Sequence, residues 1–349
     1  MTEGIKEIAM SIIVPCYKVE RYLLACLDSL VGQTLDNIEI ICINDGSPDH
    51  CIDILREYQA RYPEKVVVVD KQNEGVWRGR WDGIALARGR YIGFLDSDDT
   101  ADPQFAESLY RAAREKDADI AVCGFCRIDR ETGKMYSREM TDARSPFTIA
   151  DNPERLIELN GAPWNKCFRA SILKSLTDLD NPPSVLDDLA FHLITYERMT
   201  GDVVFVPYSL VNYMVRSDSI ITTVQLNQVD SVLTAFREIQ ARYQLERRDL
   251  LPVLGVIAFL HLGVSLTFRL ANNRSVDVSA YLKRIESFLN KCFPSWDCSP
   301  YLRLSFALRY RGAYLKLYIV FRIYRMRLLP LFLRIYAFVI NTLHVDFKW

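Results

Sequence analysis

The N-terminal hundred residues alternate between two hydrophobic periods. Continuous apolar runs at 11–15, 38–43, 66–69 and 91–95 are separated by segments at 19–31, 49–62 and 76–87 whose apolar residues recur at helical spacing. A strand that is apolar at every position is buried on both faces, which is typical of a parallel sheet covered by helices. The sequence therefore predicts an α/β domain at the N-terminus.

The pattern is less regular after residue 102. We predict a helix through residue 116, a strand over 120–128, a hairpin turn at 131–134, a helix over 148–160 and an irregular aromatic segment from residue 163. A helix over 186–199 and two short strands at 203–206 and 210–215 follow. From about residue 224 the periodicity is helical throughout, so we place a catalytic domain at 1–224 and a helical C-terminal region at 225–349.

One apolar segment of the helical region is long enough to raise the question of a membrane span. Residues 250–268 carry no formal charge, and such a length can cross a bilayer. The segment also contains a proline, two glycines and a histidine, and no second span follows. We favour a buried core helix, while a membrane-inserted helix stays open, because periodicity does not separate the two.

The charge is divided unevenly along the chain. The net charge is only −1, but residues 301–349 hold nine Lys and Arg against one acidic residue. Aromatic and basic residues alternate there, which favours a basic amphipathic tail on an anionic membrane surface. The alternative is a basic helical subdomain packed on the acidic body; nucleic acid is disfavoured because no binding motif accompanies the charge.

The nine cysteines and the N-terminus indicate a cytoplasmic protein. Several cysteines lie inside apolar strand-like runs, and Cys123 and Cys126 form a CxxC pair with no second pair, so a metal or redox role is disfavoured. The first ten residues show no apolar signal region. We expect a cytoplasmic location, peripheral on the inner face of the cell membrane.

The strongest chemical signal is a cluster of carboxylates directly after the fourth strand. Asp96, Asp98 and Asp99 follow Leu95 within four residues. Because like charges held together raise each other's pKa, a hard divalent cation such as Mn²⁺ or Mg²⁺ would relieve the cluster. A polar turn with Asp99 capping the next helix is the competing interpretation.

The predicted topology favours the metal interpretation. Ligands of open α/β sheets bind beyond the carboxyl ends of the strands, where residues 15–17, 44–47, 71–75 and 96–99 would converge. No GxGxxG follows the first strand, which argues against an ordinary dinucleotide site.

These segments resemble family 2 glycosyltransferases of the GT-A fold, a Rossmann-like nucleotide-diphospho-sugar transferase architecture. The matching segments are SIIVPCY at 11–17, CLDSL at 26–30, QT at 33–34, INDGSPD at 43–49, NEGV at 73–76, FLDSDD at 94–99, APWNK at 162–166 and YMVRSDSI at 213–220. Together they cover roughly the first 220 residues, and in combination they are specific.

The resemblance implies an inverting transfer from a UDP-sugar to a hydroxyl, and it assigns roles to residues. Asp96 and Asp98 match the metal-binding Asp-x-Asp, with Asp98 as the direct ligand. Asp187 and Asp188 stand where the family usually has Glu-Asp, which makes Asp188 the general base and Asp187 a positioning group. The residues expected around the donor are Pro15, Tyr17, Glu20, Asp45, Asn73, Arg80, Asp96 and Ser97.

Three tryptophans depart from, or add to, this pattern. Where relatives commonly read Ala-Arg-Asn, this chain has Gly79-Arg80-Trp81, and Trp77 lies nearby. We favour a packing role for Trp77 and Trp81 over a role in the donor pocket. Trp164 offers either an aromatic platform for the acceptor sugar or a core side chain, and the two interpretations stay open.

The resulting hypothesis is a hexosyltransferase of surface polysaccharide synthesis. It would extend an oligosaccharide or lipid-linked acceptor, as for a capsule, exopolysaccharide or lipopolysaccharide; the donor sugar, the linkage and a homo-oligomeric state are left open. A nucleotidyltransferase and a non-catalytic nucleotide-sugar-binding subunit of an assembly complex are the alternatives. The sequence lacks the obvious triphosphate loop that a nucleotidyltransferase needs. The presence of Asp96, Asp98 and Asp188 together argues against a non-catalytic subunit.

Overall fold

The computed structural model describes residues 7–215, 224–271 and 276–343 and divides the chain into two compact units. The first unit comprises Met1–Asp151, Ala162–Thr177 and Arg198–Ser217; the second comprises Asn152–Gly161, Asp178–Glu197 and Asp218–Trp349. Two segments that precede residue 225 thus pack with the C-terminal helices. The boundary at residue 224 stays a prediction of where the catalytic domain ends.

The first unit is built on one mixed sheet. Its strands are β1 (Met10–Cys16), β2 (Ile38–Asp45), β3 (Val66–Lys71), β4 (Tyr91–Phe94), β5 (Thr100–Ala101), β6 (Ile120–Asp129), β7 (Met135–Glu139), β8 (Phe147–Thr148), β9 (Lys166–Arg169) and β10 (Asp202–Val215). The order is β3-β2-β1-β4-β9-β6-β10-β5, with β7 on β6 and β8 on β10. The three longest ladders among these described strands are parallel, which confirms the predicted, mainly parallel α/β sheet.

Five helices accompany this sheet: α1 (Glu20–Val31), α2 (Cys51–Arg61), α3 (Val76–Leu86), α4 (Phe105–Glu115) and α5 (Ala170–Ser175). Helix α3 packs unusually close to β1, because a Cβ added at Gly83 would lie 2.5 Å from Ile13 Cγ2. At Gly79, one turn earlier, the nearest atom would be at an ordinary 3.5 Å from the added Cβ. Close packing of the helix on the sheet therefore depends on Gly83.

The amino ends of β1 and β2 are joined by a buried carboxylate. Glu39 is 1% exposed and accepts hydrogen bonds from Ser11 Oγ at 2.6 Å and from the backbone nitrogen of Arg88 at 2.6 Å. The Arg88 guanidinium adds a contact at 2.8 Å. A buried charge that is paired and hydrogen-bonded in this way is tolerated in a core.

Several elements differ from the prediction. The aromatic segment expected to be irregular contains β9, which pairs antiparallel with both β4 and β6. The helix expected over 148–160 is instead the short strand β8 followed by a 3₁₀ turn at Pro153–Glu158, and the two short strands expected after residue 202 are one bulged strand, β10. The hairpin turn at 131–134 is confirmed, since the backbone nitrogen of Asp129 donates to the Lys134 oxygen at 2.8 Å.

The second unit is helical in its described residues outside short turns and loops. Its helices are α6 (Asp187–Arg198), α7 (Leu226–Glu246), α8 (Leu251–Ala258), α9 (Leu266–Ala271), α10 (Val278–Cys292), α11 (Leu304–Tyr310), α12 (Gly312–Arg325) and α13 (Leu329–Leu343). A π-helical stretch, Phe259–Ser265, connects α8 to α9. Within the described residues, one helical stretch, Arg248–Ala271, is long and apolar enough to cross a membrane, and 72% of its apolar window is buried inside the protein. That burial supports the core interpretation.

Candidate active site

The sheet order brings the predicted segments to one edge. In the parallel set β3-β2-β1-β4, Cys16 is in register with Asn44, Asp45 with Lys71, and Ile13 with Phe94. The carboxyl ends of these four strands therefore lie side by side. Of the donor-site residues predicted from the sequence, Tyr17, Asn73, Asp96 and Ser97 lie in the loops that follow these strands. Pro15 and Asp45 lie at the carboxyl ends of β1 and β2, Glu20 begins α1, and Arg80 lies within α3.

Asp45 organises the loop that follows β3. Its side chain is 4% exposed, and its two carboxylate oxygens accept hydrogen bonds from the backbone nitrogens of Glu74 and Gly75, each at 2.8 Å. Asn73 Nδ2 donates to the backbone oxygen of Asp45 at 2.9 Å. Asp45, one of the residues expected around the donor, thus holds the Asn73–Gly75 loop, while each of its carboxylate oxygens keeps a second lone pair.

Glycine is required next to Asp45 for two reasons. Gly46 has φ of +62°, a left-handed conformation that side chains disfavour. A Cβ at this position would also lie 2.6 Å from the backbone nitrogen of Asn73. At Gly46 the loop after β2 therefore lies directly against the backbone of the loop after β3.

The loops after β1 and β2 are fastened to each other by two carboxylates. Asp49 accepts hydrogen bonds from Ser47 Oγ at 2.5 Å and from the backbone nitrogen of Glu20 at 3.1 Å. Burial acts to raise its pKa, but the hydrogen bonds with Cys51, and then those with Ser47 and Glu20, lower the pKa to about 2. Glu20 in turn accepts from the backbone nitrogen of His50 at 3.1 Å. The Asp49 carboxylate thus binds the start of α1, and the Glu20 carboxylate binds the residue just before α2. Negative charge is favourable at both helix N-termini.

Among the remaining donor-site candidates, exposure varies. Tyr17 is 43% exposed beside the half-buried Pro15, and its ring lies 5.1 Å from Lys18 Nζ. Arg80 is 4% exposed on α3, one residue before Trp81. The Trp81 and Trp77 rings lie 6.4 Å apart, and Trp77 is 7% exposed, which supports a packing role for Trp77.

The acidic turn after β4 is tied to the rest of the sheet. Asp99 is 1% exposed; its Oδ1 accepts from the backbone nitrogen of Met214 at 2.7 Å, and its buried Oδ2 has no hydrogen-bond partner among the described residues. Burial, and then the neighbouring charges of Asp98 and Asp96, raise the pKa of Asp99 well above its usual range. Asp96 and Asp98 are partly exposed, while Ser97 between them is buried.

The expectation that Asp99 caps the next helix is wrong. Helix α4 begins only at Phe105, after the short strand β5, and the Asp99 carboxylate is committed to the backbone of β10. Asp102 instead accepts from the backbone nitrogen of Gln104 at 2.9 Å, next to the helix start. The sequence alone did not show that a strand would intervene.

The structure adds one residue to this site, Arg130. Its guanidinium donates to the backbone oxygen of Asp98 and lies 4.1 Å from the centre of the Tyr22 ring, and its Nε is buried without a hydrogen-bond partner in the described part of the chain. It therefore places positive charge beside the acidic turn. Arg130 lies next to the hairpin turn at the end of β6, and no motif marks it in the sequence.

The acidic turn fits a metal ion only in part. Within the described residues, no three His, Cys, Asp or Glu side chains are grouped so as to hold a metal ion by themselves. Asp96 and Asp98 supply the one or two carboxylates with which Mg²⁺ is usually held when substrate phosphates complete its shell. A divalent ion shared with a diphosphate is thus compatible with this turn.

Trp164 is a core residue. It is 6% exposed, stacks on Tyr213 with ring centres 5.4 Å apart, and meets the Phe125 ring edge-on at 4.7 Å. Neighbouring Asn165 binds the backbone oxygen of Cys123 at 2.7 Å. These contacts support the packing role rather than a sugar platform.

Asp187 and Asp188 belong to the second unit. Both are half-buried at the start of α6, directly after Leu186, whose φ is +58°. The buried His192 Nδ1 donates to the backbone oxygen of Asp188 at 2.8 Å, one turn along the helix. The start of α6 thus presents two carboxylates, the arrangement that a helix N-terminus favours.

The cysteines form no disulfide, and Cys26 contacts the acidic turn, its Sγ donating to the backbone oxygen of Asp96 at 3.8 Å. All nine are free thiols, and all but Cys298 are buried. Cys123 and Cys126 lie three positions apart on β6, which places them on opposite faces of the strand. The CxxC spacing therefore makes no pair.

Comparisons with known proteins identify the family that the N-terminal part of the chain resembles. Residues 11–177 match the family model described as glycosyl transferase family 2. The chain is 36% identical over 174 residues to EpsH of Bacillus subtilis, named as a glycosyltransferase, covering 48% of each chain. It is 33% identical over 180 residues to the poly(ribitol-phosphate) beta-glucosyltransferase of Bacillus spizizenii, covering 48% of this chain and 28% of that protein. The chain thus spans about half or less of these relatives.

Solved structures resemble the chain over a longer region. A crystal structure of S. aureus TarS in complex with UDP-GlcNAc matches with a TM-score of 0.70 at 18% identity, over 91% of this chain and 92% of that chain. At this identity the likeness shows the fold alone. Family model, curated relatives and fold agree: residues 11–177 match glycosyl transferase family 2, and the chain has the GT-A fold with a helical C-terminal region.

Proposed function

We propose that the protein is an inverting, metal-dependent glycosyltransferase that moves a sugar from a UDP-sugar to a hydroxyl of a lipid-linked oligosaccharide in surface polysaccharide synthesis. The observation that carries the proposal is the convergence of the Asp45-anchored loop and the acidic turn at one edge of a family 2 domain. The naming of curated relatives as glycosyltransferases and the UDP-GlcNAc complex of TarS support the donor class.

In the proposed reaction, residues of the first unit bind the donor. The Asn73–Gly75 loop and Tyr17 would contact the nucleoside, and Arg80 would approach the diphosphate. Asp98, assisted by Asp96, would hold Mn²⁺ or Mg²⁺ against the diphosphate oxygens. When bound, such an ion supplies positive charge where the leaving group becomes negative.

Asp188 is proposed as the general base. The Asp188 carboxylate takes the proton of the acceptor hydroxyl while the hydroxyl oxygen forms its bond to the anomeric carbon of the donor sugar. The bond between the anomeric carbon and the diphosphate oxygen breaks, and its electron pair leaves with UDP. Asp187 would orient the acceptor or Asp188. Both carboxylates lie in the first turn of α6, where a helix N-terminus favours negative charge.

The C-terminal helices support attachment to an anionic membrane from the cytoplasmic side. Helix α12 buries Tyr314, Leu317 and Phe321 but also exposes Leu315 by 36% and Ile319 by 47%. Other exposed apolar side chains between residues 304 and 335 are Leu304, Leu308, Tyr310, Met326, Leu328, Leu331 and Ile335. The same helices also carry exposed cations, and this combination suits an anionic interface.

Turnover of a panel of UDP-sugars, with and without a chelator, tests the reaction. We expect UDP release that requires the metal and falls by about 100-fold or more in Asp98→Asn and in Asp188→Asn. Asp36→Asn, which changes an exposed carboxylate before the amino end of β2, is the matched control and should retain activity. Full activity of either site variant would refute that residue's role, and pyrophosphate instead of UDP as product would indicate the nucleotidyltransferase.

Membrane attachment is best tested with point variants. Removal of residue 301 onward would also remove Tyr314, whose hydroxyl donates to the backbone oxygen of Glu154 at 3.2 Å, so a truncated chain would lose core contacts. Leu315→Gln with Ile319→Gln leaves the buried face intact. We expect this double variant to sediment less with anionic vesicles; unchanged sedimentation would refute the proposed surface.

A further inference from the structure

A cavity of about 400 Å³ lies within the second unit, among α10, α12 and α13. Its volume is in the range of small-molecule pockets. The residues that line it are Ser279, Leu282, Lys283, Glu286, Tyr324, Arg325, Arg327, Leu329 and Pro330. None of them belongs to the proposed transferase site.

The charge of the lining is mainly positive. Lys283, Arg325 and Arg327 face one carboxylate, Glu286. Arg325 is already paired with Asp297 at 2.6 Å, whereas the contact of Arg327 with Glu286 is long, at 3.9 Å. Lys283 and Arg327 are therefore the cations best able to take a new anionic partner.

A buried hydroxyl provides an independent indication of a ligand. Tyr324 is only 8% exposed, and its oxygen has no hydrogen-bond partner among the described residues. Its ring is held by Phe259 and Trp296, with ring centres at 5.1 Å and 5.9 Å. Burial, and then the charge of Glu286, raise the pKa of this hydroxyl above its usual range, while Arg327 and Arg325 act to lower it, so the group lies close to the charged lining.

The start of α13 adds a fourth source of positive potential. Leu329 and Pro330, which line the cavity, form the first turn of this 15-residue helix. The first backbone N–H groups of a helix lack intrahelical partners, and the helix dipole is positive at this end. Phosphate groups commonly bind at such a position.

We propose that this cavity is a binding site for a phosphate group, held by Lys283, Arg327, the Tyr324 hydroxyl and the N-terminus of α13. A phosphate has several acceptor oxygens and no fixed donor, so it can accept bonds from all four. The group could belong to an anionic lipid headgroup or to a free phosphate ester. This inference does not depend on the sugar-transfer reaction.

Two probes distinguish the sources, and paired variants identify the cavity. Binding of glycerol 3-phosphate is measured by calorimetry, and binding of phosphatidylcholine vesicles with and without phosphatidic acid by sedimentation. The cavity variant is K283Q/R327Q. The matched variant K316Q/R322Q removes the same charge from exposed positions of α12 that do not line the cavity.

We expect K283Q/R327Q to weaken phosphate binding about tenfold or more, the effect of losing charge-assisted hydrogen bonds. Y324F should weaken it less, and K316Q/R322Q should leave the binding of glycerol 3-phosphate unchanged. Cavity-dependent binding of glycerol 3-phosphate would identify a free ester as sufficient, and cavity-dependent binding of phosphatidic acid vesicles alone would identify the lipid headgroup.

Two results would overturn the proposal. If neither probe binds, the cavity is not a phosphate site. If vesicle binding falls equally in K283Q/R327Q and K316Q/R322Q, the attraction is a general one between a basic surface and the membrane. All variants should keep the UDP-sugar turnover of the unmodified chain, so failure here is distinguishable from failure of the proposed reaction.

Discussion

Replacing Asp45 with asparagine should loosen the loop that follows β3. The substitution keeps the shape of the side chain but turns one of the two acceptor oxygens into a donor, so one of the bonds to Glu74 N or Gly75 N is lost. A hydrogen bond to a charged group contributes about 1.5–3 kcal/mol. We therefore expect Asp45→Asn to lower the free energy of unfolding by about 2 kcal/mol.

The assay is urea unfolding followed by tryptophan fluorescence, together with UDP affinity measured by calorimetry. Asp70→Asn is the matched control, because Asp70 is the penultimate residue of the neighbouring strand β3, is 48% exposed at its side chain and accepts from Asn44 Nδ2 through an oxygen that asparagine retains. Its cost should stay below about 1 kcal/mol. Equal urea midpoints for the two variants would refute the role of Asp45 as the anchor of the loop.

Three further predictions concern packing, metal and pH. Gly83→Ala, which places a Cβ 2.5 Å from Ile13, should destabilise the protein by about 1–3 kcal/mol in urea unfolding, whereas Gly79→Ala in the same helix should be neutral or stabilising; equal effects would contradict the close packing. In a thermal-shift assay, manganese added together with UDP should raise the melting temperature above the value with UDP alone, and Asp98→Ala should abolish this additional rise. A retained rise would exclude Asp98 as a metal ligand. Burial, with a smaller effect of Arg269, lowers the pKa of His261 to about 4. Because the unfolded histidine titrates near pH 6.5, stability should fall as the pH drops from about 6.5 to about 4, and His261→Leu should flatten this loss in urea midpoints; an unchanged profile would contradict a histidine that is neutral in the folded protein.

The parts of the fold that the sequence predicts well are those determined by local pattern. The first four long strands are β-branched or otherwise apolar at nearly every position, and each is followed by a helical period, so their parallel arrangement follows. The convergence of Asp45 and the acidic turn then follows from topology alone. The same pattern did not reveal β9, because Lys166–Arg169 is short and gains its place only by pairing with two distant strands.

For the candidate site, the positions of the carboxylates are predictable from the sequence, but their hydrogen-bond partners are not. Motif positions identify the carboxylates, but their bonding depends on partners far along the chain. Asp99 bonds to Met214, which lies 115 positions away, and Arg130 reaches Asp98 from the end of β6. Segment 216–220, which also resembles the family, lies outside the described residues. Only tertiary structure shows which carboxylate is committed to the scaffold and which is left for chemistry.

The fastening of the acidic turn sets a rule for its length. The backbone nitrogen of Asp99 bonds to the Asp96 oxygen at 2.9 Å, Arg130 holds the Asp98 oxygen, and Met214 holds the Asp99 side chain. A residue inserted between Asp96 and Asp99 would displace at least one of these three anchors, whereas the exposed hairpin turn at 131–134 has room for extra residues. The turn therefore works as a spacer of fixed size, and in an insertion library the chain should tolerate added residues in the hairpin but not here.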